Sequence, residues 1–98
     1  AQSKAEIFAK ENTEKLSKIL QFTETENVQV YNILLEKETE FNVIRKKYKG
    51  DKDAIRAEIE KLNPIYNRRL KDILGKERMV KYHGYFKAKY KAYLESKK

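Results

Sequence analysis

The stretch Thr23–Tyr48, TETENVQVYNILLEKETEFNVIRKKY, decides the fold. On a helix, Val30, Leu34, Phe41, Ile44 and Tyr48 share one face. They form two sets seven residues apart, Val30–Lys37–Ile44 and Leu34–Phe41–Tyr48. Apolar residues at that spacing make a coiled-coil-like seam, here with one lysine in it. Thr23 followed by Glu26 is a capping box, and Phe22 stands where a hydrophobic staple begins. Glu24 and Glu26 suit the positive end of the helix dipole, and Arg45, Lys46, Lys47 and Lys49 suit the negative end. Gly50 suits the left-handed residue just past it. Val28, Tyr31 and Leu35 add a second apolar face, so the first half of this helix is expected to be buried on two sides.

Upstream, Ser3 and Glu6 form a further capping box. They predict a helix over 4–21 with the stripe Ala5, Phe8, Ala9, Asn12, Leu16, Ile19 and Leu20, and with Ile7 off it. Downstream, Asp51 or Asp53 caps a third helix over 52–74. Its stripe is Ile55, Ile59, Leu62, Tyr66, Leu70 and Ile73, again in sevens that include one long cation, Arg69. Lys37 and Arg69 are expected to bury their stems and keep their charges in water. Pro64 would ordinarily end this helix. At 100° per residue it lies about 180° from Ile55, on the polar side, so one bent helix is expected, concave on its apolar face. Gly75 punctuates, and a fourth helix follows over 76–94 with the stripe Met79, Tyr82, His83, Phe86, Tyr90 and Tyr93. Gly84 inside it either weakens the helix or permits close packing. Residues 95–98 are expected to fray. The chain thus reads as one all-α domain, 1–98, of four helices built on a long, curved antiparallel hairpin.

Ninety-eight residues allow one modest core. Charged residues make up 39%, but the apolar ones are too periodic for a disordered chain. Charge is segregated. Residues 1–44 carry a net −3 and residues 45–98 a net +11. The second half therefore has the field to attract nucleic acid, anionic lipid or acidic protein segments, unless it only maintains solubility. Lysine outnumbers arginine 18 to 5, which tilts away from specific nucleic-acid recognition. Cysteine is absent, and no apolar run reaches membrane-spanning length. The start at Ala1-Gln2 suits a mature chain released by signal peptidase and equally a trimmed one.

His83 is the one histidine, and no carboxylate stands at ligand spacing on its face, so a metal site lacks ligands. No nucleophile–base–orienter set and no glycine-rich phosphate loop is present. The expectation is a protein with no catalytic activity, no metal and no cofactor. Tyr82 to Tyr93 with interleaved lysines offers the best case for nucleic acid, with bases stacking on tyrosines. But Tyr82, Phe86, Tyr90 and Tyr93 share a face with Met79, which is the pattern of a core, and Tyr85 alone points elsewhere.

The two punctuation points are alike. Each has an apolar residue (Phe22, Leu74), then Thr23 or Gly75, two spacers, Glu26 or Arg78, and a valine two residues on, Val28 or Val80. This resembles a degenerate pair of the Leu-Thr-x-x-Gln motifs of the Spy/CpxP family of small periplasmic helical proteins. The likeness spans about 16–85 and includes the helix order. Phe22, Glu26, Gly75 and Arg78 depart from the motif. The resemblance implies a periplasmic, dimeric, cradle-shaped protein. Its function would be that of an ATP-independent chaperone for unfolded or partly folded proteins, or of a stress-response adaptor that restrains a sensor protein. Client-contact candidates are Arg45, Lys46, Lys47, Arg68, Arg69 and Tyr85, chosen for charge or for falling off the core stripes. The competing readings are non-specific nucleic-acid binding by the basic half and a structural dimer that binds no client.

Overall fold

The computed structural model describes residues 2–96, so the sequence readings on Ala1, Lys97 and Lys98 lie outside the described residues. The chain is all-helical there, in three spans where four were expected: α1 Lys4–Leu20, α2 Glu24–Lys47 and α3 Lys52–Ser96. Both upstream capping boxes form, Ser3 with Glu6 and Thr23 with Glu26. Asp51 accepts from the Ala54 N–H to start α3. Gln21 ends α1 in the left-handed region (φ 55°).

The third and fourth helices of the sequence reading are two arms of α3, because only Gly75 (φ 81°, ψ 168°) leaves helical geometry between them. One residue makes a corner but no loop. A straight 45-residue helix would run about 67 Å, yet the longest dimension of the Cα trace is 40 Å. The corner therefore folds α3 back on itself. The first arm, 52–74, runs antiparallel to α2, with Tyr66 on Glu40 and Arg69 on Glu36. The second arm, 76–96, returns along α2, with Arg78 on Glu26 and Phe86 beside Lys37. The helix continues through Pro64, which is exposed as its angle required.

Leu16, Val30, Leu34, Tyr66 and Leu70 are fully buried and join Ala9, Leu20, Ile33, Leu74, Met79 and Tyr82 in one core drawn from every element. The seam of α2 holds at Val30, Leu34 and Phe41, while Ile44 and Tyr48 are half-buried. Several expected positions shift, each by an angular rule. On α1 the buried arc is centred on Leu16 and takes in Thr13; Ile19, about 60° to the other side, is exposed. On α2, Ile33 is buried, and Val28, about 160° from Val30, is solvent-exposed instead of facing a second layer. Tyr31 and Leu35 do pack against the core. On the second arm, His83 is exposed, while Tyr85 is half-buried against α1 rather than pointing away. Tyr90 and Tyr93 are exposed rather than core. Residues 87–96 are all exposed because the arm outruns the core that covers Met79 and Tyr82.

Candidate functional site

Two groupings stand out. The first joins the motif-like residues. Glu26 accepts two bonds from Arg78, from Nη1 at 2.9 Å and Nη2 at 2.6 Å. The same carboxylate accepts from the Thr23 N–H at 3.0 Å and so closes the capping box of α2. Arg78 also donates from Nε to the Leu74 carbonyl at 2.9 Å, beside the Gly75 corner. One ion pair thus joins Glu26, at the positive end of the α2 dipole, to Arg78, which reaches back from the second arm to the end of the first. Arg78, followed by the Thr23 N–H, holds the Glu26 carboxyl down at about 2. Leu74 is buried beneath the pair and Phe22 packs against the core. The structure therefore gathers Phe22, Thr23, Glu26, Leu74, Gly75 and Arg78 at one end of the bundle, in a structural clasp.

The second grouping lies at the other end. A hollow of about 610 Å³ is lined by Phe8, Glu38, Arg45, Phe86, Lys89, Tyr90 and Tyr93. Its rings are paired: Phe8 stacks on Phe86 with centroids 6.4 Å apart, and Tyr90 on Tyr93 at 6.5 Å. Lys89 crosses the wall. Its Nζ sits 5.3 Å from the Phe8 centroid and donates to Asn12 Oδ1 at 2.7 Å. Burial, then repulsion from Lys15, pushes the Lys89 ammonium below its ordinary value. Arg45 is held by Glu38 (2.9 Å) and Asn42 (2.7 Å) and lies 5.9 Å from the Phe41 ring. Arg45 also lines a neighbouring hollow of about 550 Å³ with Lys4, Asn42, Lys46 and Lys49. The two hollows meet at Arg45. Together they present five cations and one carboxylate beside four exposed or half-exposed rings.

The client-contact candidates separate. Arg45 and Lys46 line these hollows, and Lys47, exposed, lies over the Tyr48 ring at 5.4 Å. Arg68 and Arg69 sit elsewhere, on the first arm. Arg69 pairs with Glu36 at 2.7 Å beside a hollow of about 370 Å³ that also contains Asp72, so no cationic hollow forms there. Tyr85 is half-buried and donates its hydroxyl to Asn12 at 2.7 Å, away from the hollow's lining. Lys37 does not keep its charge in water. Its Nζ lies 5.2–6.0 Å from the centroids of Phe41, Tyr82 and Phe86, and burial lowers its pKa. The sequence reading did not single out Lys4, Phe8, Lys49, Lys89 or Tyr90 as contact residues, and it placed Phe8 and Tyr90 in core stripes. Length gave no signal of the overhang, since the helices expected over 4–21 and 76–94 differ by one residue.

Among the described residues no group of three or more His, Cys, Asp or Glu is placed to hold a metal ion. No helix there is long and apolar enough to cross a membrane. Comparison with protein-family models, with curated proteins and with solved structures finds no match.

Proposed function

We propose that this chain is a non-catalytic, ATP-independent binding protein of the periplasm, a chaperone or stress-response adaptor that holds unfolded or partly folded polypeptides. The observation that carries the proposal is the aromatic–cationic end, where Phe8, Tyr90 and Tyr93 line a hollow with Lys89 and Arg45, and Leu94 is exposed on the same arm. Long-range attraction from the cations and short-range contact with rings and aliphatic groups suit clients of varied sequence, since neither demands one geometry. Glu26 and Arg78, both departures from the Spy/CpxP motif, pair with each other and join the two motif-like points. A homodimer and a bowed, cradle-shaped hairpin belong to the same proposal.

The test is suppression of aggregation. At equimolar chain, a chemically denatured substrate diluted into buffer without ATP stays soluble and later refolds. Unchanged light scattering would remove the proposal's main support. One observation favours a second reading. With Tyr90 and Tyr93 exposed rather than core, the second arm offers rings and lysines to single-stranded nucleic acid. That reading requires an oligonucleotide mobility shift that collapses steeply with salt.

A further inference from the structure

We infer that the two hollows meeting at Arg45 form one bipartite site for acidic polypeptide segments that carry an aromatic or large aliphatic side chain; the inference rests on the polypeptide-binding reading above. Lys4, Lys46 and Lys49 surround one hollow with no carboxylate in its lining, and among the described residues none of them is in an ion pair. Charge complementarity therefore calls for carboxylates there. The adjoining hollow is walled by Phe8, Phe86 and Tyr90 and has room for an apolar side chain. Its single carboxylate, Glu38, is already held by Arg45. Glu38 thus orients the guanidinium at the junction, where a second carboxylate can also be met. A segment with acids and a ring a few residues apart satisfies both halves at once; a purely acidic or a purely apolar one satisfies one half.

Polypeptide is favoured over nucleic acid for this site by the kind of cation, since the exposed rings of Tyr90 and Tyr93 would accept either partner. The cations around the first hollow are lysines apart from Arg45, point charges that suit carboxylates without demanding a planar bidentate fit.

Fluorescence anisotropy of labelled twelve-residue peptides with the full chain, at low and at moderate salt, tests this. The peptides are one acidic with a central Phe, the same with Ala for Phe, and one basic with a central Phe. The acidic Phe peptide is expected to bind at least tenfold more tightly than either other, and added salt weakens it. Tyr90→Ala should abolish the preference for Phe, and Lys46→Glu should weaken the acidic peptide at least fivefold. Arg68→Gln, outside both hollows, should leave binding unchanged. Equal binding of all three peptides, or full binding by Tyr90→Ala and Lys46→Glu, would overturn the inference. So would displacement of the peptide by a short oligonucleotide with the same variant pattern. The two proposals fail separately. Suppressed aggregation with no peptide selectivity sinks the bipartite site alone. Selective peptide binding with unaffected aggregation upholds the site and sinks the chaperone reading.

Discussion

At the scale of the residue, Asn12 shows how a polar side chain earns a buried place. It sits at 1% exposure, donates to the Phe8 carbonyl and accepts from both Tyr85 and Lys89. The bonds key α1 to the second arm of α3. Its neighbour Thr13 is the contrast: its hydroxyl is buried and has no hydrogen-bond partner among the described residues. An unmet buried hydroxyl costs about 1–3 kcal/mol, whereas an apolar group of the same shape costs nothing of the kind. Thr13→Val is therefore expected to raise stability by about 1 kcal/mol, read from the urea midpoint. Glu26 gives the pH dependence. Its folded pKa, about 2, lies below the ordinary 4.5. A depressed carboxylate stabilises the fold above the unfolded value and loses that contribution as pH falls through the folded one. The wild type should thus exceed Glu26→Gln in urea midpoint at neutral pH, and the gap should close between about 4.5 and about 2. A gap constant across that window would mean that Arg78 does not hold the carboxylate.

At the scale of the element, the glycines divide by backbone geometry. Gly75 has φ 81° and ψ 168°, a region open to glycine and costly for any other residue. A Cβ there would meet nothing within 4 Å, so the penalty is one of backbone and not of crowding. Gly75→Ala should destabilise by about 1–3 kcal/mol. Gly84 sits in ordinary helix with open space around it, so it permits no close packing. Gly84→Ala should stabilise by about 0.5–1 kcal/mol. Paired thermal melts would show the opposite signs, and a matching loss in both would contradict the role of the corner. Helix starts were legible because caps are local: Ser3, Thr23 and Asp51 each bond within three residues. The passage through Pro64 was legible from its angle alone. What periodicity could not reveal was where one helix stops covering another. Tyr90 and Tyr93 keep the phase of a core stripe beyond the end of the core, and Tyr85 is drawn in by α1, a long-range neighbour.

At the scale of the whole molecule, charge and covering decide the candidate site. The basic excess after residue 45 was plain in the sequence, but its focus was not. Arg69 faces Glu36 and Asp72, while Arg45 faces Lys46, Lys49 and, from the far end of the chain's first helix, Lys4. That second grouping depends on α1 running antiparallel to α2, which brings residue 4 beside residue 46. Hydrogen–deuterium exchange of the chain alone and with a stoichiometric, permanently unfolded client tests most directly where polypeptides dock. Client docking is predicted to slow exchange over 4–9, 42–49 and 86–93 and to leave 64–72 unchanged. Slowing over 64–72, or no change anywhere at a client concentration that suppresses aggregation, would contradict the account.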